Sequence, residues 1–164
     1  MRICGPETRR QVCVVVFALA VVPAAVAQQA SPEEKAATKF VATTSIWDGV
    51  FTEAQAKRGE AVYIGPCSQC HGYKLDGAPD DPDMLSTPPL AGAKFLRDWD
   101  GRSLAALFEY TRATMPENNP SYLSAQEFID VIAHMLFASG IPAGYDELNP
   151  DSQHLAKIVI QQSP

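Results

Sequence analysis

Cys67-Ser68-Gln69-Cys70-His71 is the stretch that decides the fold. Residues three apart lie on one face of a helical turn, so the two thiols project together. His71 follows at once and brings an imidazole beneath whatever the thiols hold. Thiols at this spacing reach the two vinyl groups on one edge of a porphyrin, and the adjacent imidazole then reaches the iron. This is the pattern of c-type haem attachment. Thioether bonds do not exchange readily, so a haem so held does not dissociate. Three other uses of a Cys-x-x-Cys pair compete. A thiol–disulfide redox site usually sits in a βαβ pattern, which is absent here. A zinc site needs a second Cys or His pair at useful spacing, and none follows. A disulfide closing a four-residue loop is strained.

Upstream of the motif, Thr52 is placed to cap a helix, with Gln55 three residues on as its capping-box partner. Ala54, Lys57, Arg58, Ala61 and Val62 carry that helix to about Ile64, and Gly65-Pro66 stops it. Downstream, 72–92 is rich in Gly, Pro and Asp and reads as loop. Short helices are expected at Ala93–Trp99 and Ser103–Thr111, where Leu104, Leu107 and Phe108 share a face. Met115-Pro116 opens a second loop. A last helix is expected at Ser124–Ala138, with Ser124 and Glu127 as capping box and Leu123 and Phe128 as hydrophobic staple. Gly140 and Pro142 end it. The tail, 143–164, reads as an extended wrap with one apolar patch, Leu155–Ile160. No run alternates with period two, so few or no strands are expected.

A second axial ligand is sought among the methionines and histidines. Met115 is the choice: it follows a helix, and Pro116 holds it extended. It lies 44 residues after His71, enough chain to reach the far face of the haem. Met84, only 13 residues after His71, reaches that face less easily. Met135 sits among apolar helix residues and reads as core. His134 reads as a helix-contact residue and His154 as a surface one.

The N-terminus reads as a secretory leader. Arg2, Arg9 and Arg10 precede an apolar run from Val12 to Val22, and Pro23-Ala24-Ala25-Val26-Ala27 offers a cleavage site after Ala27. The run is short of the ~20 residues that span a bilayer; an uncleaved anchor is the alternative. Thr8-Arg9-Arg10 partly matches a twin-arginine signal, whereas haem attachment after export needs the route for unfolded chains. The expected organisation is a signal peptide at 1–27, a flexible segment at 28–45 and one domain at 46–164. Cleavage removes Cys4 and Cys13 and leaves only Cys67 and Cys70. It also removes three arginines and Glu7, taking the net charge from −6 to about −8. No basic footprint for nucleic acid exists. Charged residues at 20% and hydrophobic ones at 46% are a globular balance. If charge steers docking, an acidic surface favours basic partners over anionic membranes.

From Trp47 to Ile160 the chain resembles the monohaem class I cytochromes c, of the group found with periplasmic pyrroloquinoline-quinone (PQQ) dehydrogenases. The resemblance rests on Trp47-Asp48-Gly49-Val50-Phe51-Thr52, Arg58-Gly59-Glu60, Cys67 to Gly72, Pro88-Pro89-Leu90-Ala91-Gly92, Thr114-Met115-Pro116 and Pro142-Ala143-Gly144. It implies an all-α cytochrome c fold, three to five helices around one covalently bound haem c, with long loops. It implies His71 and Met115 as iron ligands, and a proline carbonyl, that of Pro89 with Pro88 in reserve, on the other nitrogen of His71. Gly59 and Tyr63 match the face that crosses the last helix, where the usual aromatic partner is replaced by His134. Trp99 is a candidate for contact near the haem propionates, or for core packing. The implied role is one-electron transfer in the periplasm, through an iron shielded by Leu90, Phe95, Leu104, Leu107 and Phe108. A PQQ dehydrogenase is the expected donor and a terminal oxidase or another cytochrome the acceptor; no substrate chemistry and no membrane segment after cleavage are expected. A cytochrome subunit of a dehydrogenase complex, a haem enzyme or sensor with a labile sixth ligand, and a non-haem thiol oxidoreductase are the alternatives.

Overall fold

Thr52 and Ser124 start the two helices that frame the domain. The computed structural model describes residues 43–83 and 87–164, all within one unit, 39–164. The expected leader, most of the expected flexible segment and Met84 lie outside the described residues. In α1 (Glu53–Tyr63) the Thr52 hydroxyl accepts from the Gln55 N–H at 3.1 Å. In α5 (Ala125–Ala138) the reciprocal box forms: Ser124 Oγ accepts from Glu127 N–H at 3.2 Å, and the Glu127 carboxylate accepts from Ser124 N–H at 2.8 Å.

Gln55 does not complete the matching box in α1. Its side chain is fully buried and donates to Asp130 Oδ1 and to the Leu148 carbonyl, both at 3.0 Å. Its Oε1 accepts from Leu148 N–H at 2.8 Å. The reason is energetic. An exposed cap bond exchanges with water, whereas polar groups left unpaired inside cost about 1–3 kcal/mol each.

The two helices cross at Gly59. A Cβ there would overlap the Asp130 carbonyl, so the absence of a side chain is what lets the backbones touch. Outside the crossing, Arg58 bonds Asp130 at 3.1 Å and Glu147 at 2.8 Å. These bonds hold the guanidinium above its usual pKa and Glu147 below the usual carboxylate range. Beneath lie Phe51, Tyr63, Phe95, Leu104, Phe108, Phe128, Ile132 and Leu136, all buried.

The remaining helices are α2 (Ser68–His71), α3 (Gly92–Trp99), α4 (Leu104–Thr114) and α6 (Ser152–Leu155). The fold is all-α; the described residues form six α-helices where three to five were expected, because α2 and α6 are single turns. Two short strands, β1 (Thr44–Ser45) and β2 (Ile158–Val159), pair in parallel, Thr44 with Ile158 and Ser45 with Val159. Thr44 and Ser45 therefore belong to the domain, not to the flexible segment, and the tail is more than an extended wrap. Strands of two residues are too short to show alternation. Among the described residues no helix is long and apolar enough to cross a membrane.

Candidate haem-binding site

Tyr63 ties down both ends of the Cys67–His71 motif. Its carbonyl accepts from Cys67 N–H at 3.2 Å, and its buried hydroxyl donates to the Gly72 carbonyl at 2.7 Å. Between these anchors the chain closes one helical turn, with His71 N–H on the Cys67 carbonyl at 3.0 Å. Ser68 Oγ donates to the Ile64 carbonyl at 2.6 Å and locks the turn to the end of α1. Gly72 leaves it at φ 75°, ψ 151°, a region that essentially only glycine enters. Cys67 is half-buried and Cys70 exposed, and the two are not joined in a disulfide. Burial, then the neighbouring Cys70, pushes the Cys67 thiol up to about 11.

His71 is buried, and its Nδ1 lies 2.9 Å from the Pro88 carbonyl oxygen. A carbonyl can only accept, so Nδ1 carries the proton and Nε2 keeps its lone pair. Burial lowers the His71 pKa and the Pro88 bond opposes that; the neutral ring is the metal-binding form. The carbonyl is that of Pro88, not Pro89 as expected. The family pattern favours Pro89 and keeps Pro88 in reserve, but successive carbonyls of an extended run point in different directions. What selects Pro88 is the return of the loop. Leu90 N–H bonds the Leu75 carbonyl at 2.8 Å, and Gly77 packs so closely that an added Cβ would sit 2.5 Å from the Thr87 carbonyl.

Met115 caps α4 with its N–H on the Thr111 carbonyl at 2.8 Å. Its backbone is extended, φ −121° and ψ 147°, as the following proline requires. Cys67, Cys70, His71, Pro88, Pro89, Trp99 and Met115 all line one cavity of about 890 Å³. Leu90, Phe95, Leu107, Leu123, Phe128, Val131 and Met135 supply its apolar wall. Leu104 and Phe108, expected in that wall, are buried core residues outside the lining. Met135 is both core and wall. Neither His134 nor His154 lines the cavity.

Trp99 is half-buried in the rim, edge-on to Tyr110 at 5.7 Å. The Arg102 guanidinium stacks on its ring at 4.0 Å. Among the described residues Arg102 makes no ion pair, and it lines the same cavity. Sequence reading passed over Arg102. Its one signal was position, three residues after Trp99 and just past Gly101.

The donors suit a covalently held haem: two thiols, an imidazole with a free lone pair, a thioether and an apolar wall. Residues 54–135, half of the chain, match the family model described as cytochrome c oxidase, cbb3-type, subunit III. The chain belongs to that family. As a cytochrome c domain it binds haem c covalently, one per chain, and its chemistry is electron transfer through the haem iron. One solved structure is similar, the sulfane dehydrogenase SoxCD from Paracoccus pantotrophus. Identity is 20% over 84% of this chain and 68% of that one, with a TM-score of 0.45. No curated protein sequence matches.

Proposed function

We propose that this cytochrome is an exported one-electron carrier with His71 and Met115 as iron ligands and Cys67 and Cys70 as thioether attachments. The observation that carries the reading is that these four side chains, separated by up to 48 positions, line one apolar cavity. Of the other ligand candidates in the described residues, only Met135 also lines it. When bound, the haem supplies a ferric/ferrous couple. The chain's own part is to hold and insulate it. Pro88 keeps the His71 ring in one orientation and raises its basicity. The apolar wall disfavours the extra charge of the ferric state, and a thioether ligand acts the same way, so the potential is positive. Surface acidity opposes this weakly, since one charge at ~15 Å contributes only ~0.3 kcal/mol in bulk water. Trp99 and the stacked Arg102, both lining the cavity, would hold the haem carboxylates.

The donor is a periplasmic dehydrogenase of the PQQ class and the acceptor a terminal oxidase or a second cytochrome. Support for export is the leader at 1–27; a mature N-terminus other than Gln28 removes that boundary. The ligand set is tested on Met115→Ala. Loss of the weak red charge-transfer band of sulfur-bound ferric haem, with a lower potential, is expected. An unchanged potential sinks the Met115 assignment. Capture of the haem protein from periplasm with an active PQQ dehydrogenase tests the donor.

A further inference from the structure

His134 stands where the family resemblance expects an aromatic ring, and the replacement puts a titratable group between solvent and the haem wall. On α5, Val131 and Met135 line the haem cavity. His134, one residue before Met135, faces α1, with its ring 5.5 Å from that of Tyr63 and tilted by 52°. Tyr63 is buried, and its hydroxyl holds the Gly72 carbonyl, next to His71. On its other side His134 borders a surface groove of about 400 Å³ with Glu53, Lys57, Glu60 and Phe137. No hydrogen bond fixes either ring nitrogen among the described residues, so a proton can arrive from the groove.

We propose that His134 couples haem reduction to uptake of one proton from solvent, so that the reduction potential depends on pH through this residue. The inference rests on His71 being the iron ligand. An arriving electron lowers the charge of the haem centre by one. A proton on His134 offsets it, and the ring therefore binds a proton more tightly beside ferrous than beside ferric iron. Among the described residues the groups facing the ring are few. Glu60 favours the protonated ring; Glu53 and Lys57 share the groove with opposite charges. Asp130, one turn earlier on α5, is engaged by Arg58 and Gln55. Cys67, which faces the buried Tyr63 on the inner side, is consumed by haem attachment. Burial holds His134 below the ordinary histidine value of 6.5 and Glu60 only partly restores it, which sets the window on the acid side of neutrality.

The sign follows from linkage. Below both proton affinities, and above both, the potential is flat; between them it falls as pH rises. The test is a spectroelectrochemical titration of the holoprotein from about pH 4.5 to about pH 8, beside His134→Phe and His134→Gln. The native midpoint rises on acidification through this window, and both variants lose that rise. Proton NMR of the His134 ring in the native protein needs no variant, and its titration midpoint is higher in the ferrous form. Equal midpoints in the two states, or variants that keep the native pH curve, overturn the proposal. The red charge-transfer band and covalent haem content, read on the same samples, report separately on the ligand assignment.

Discussion

Gly59→Ala turns the helix crossing into a measurement. Gly59 lies inside α1, so by intrinsic preference alone alanine stabilises by ~1 kcal/mol. The structure reverses the sign. The added methyl overlaps the Asp130 carbonyl and comes within 2.9 Å of Val131 N. Both are backbone atoms of a helix and cannot swing aside, so α1 and α5 must part. Overpacking of this kind costs ~1–3 kcal/mol. Parting also uncovers the apolar seam around Ala56 and Tyr63; ~80 Å² at ~25 cal/mol per Å² adds ~2 kcal/mol. The net is a loss of about 2–4 kcal/mol. It is read from urea unfolding of the haem-loaded protein by far-ultraviolet circular dichroism. Lys57→Ala, exposed on the same helix, is the control and stays within ~0.5 kcal/mol. Equal or greater stability for Gly59→Ala refutes the crossing, because only an open neighbourhood lets the propensity gain survive.

Asp130→Ala leaves Gln55 and Arg58 without a shared acceptor; a loss of about 2–3 kcal/mol in urea unfolding is expected, tempered because Arg58 is half in solvent. Glu147 has a depressed pKa in the folded state through Arg58, so its stabilisation is present above the unfolded value of 4.5 and is lost as pH falls through the folded one. The stability gap between native protein and Arg58→Gln, read from acid unfolding curves, is therefore largest above the unfolded value of 4.5 and narrows as pH falls through the depressed Glu147 value. Ser124→Ala removes the α5 cap and costs ~1 kcal/mol, read as a lower thermal midpoint. Gly77→Ala, at φ 83° and against the Thr87 carbonyl, displaces the Pro88 carbonyl from His71 and shifts the reduction potential without loss of covalent haem.

What the chain discloses without coordinates depends on how far apart the interacting groups lie. The Cys67–His71 turn, the Ser124–Glu127 box and the extended backbone before Pro116 are local. Each depends on neighbours within a turn, so residue type and spacing suffice. Gln55 shows where this ends. As a string it is a good capping-box residue, three positions after Thr52. Folded, it meets Asp130 and Leu148, and the buried partners win because water cannot substitute for them. Pro88 and Pro89 make the same point at the site. The pattern requires one carbonyl on His71, but which one faces the ring is set by Leu75 and Gly77 across the loop. Arg102 is set by the tail: its carbonyl accepts from Ile160 N–H at 2.9 Å, and Gly101 N–H returns a bond to the Ile160 carbonyl at 2.9 Å. The turn that offers a cation to the cavity is thus pinned by residues near the C-terminus. A site built this way tolerates surface change in its loops but not at the distant contacts that aim them. The positions hardest to see in the sequence are for that reason the ones whose substitution moves the haem environment without touching a ligand.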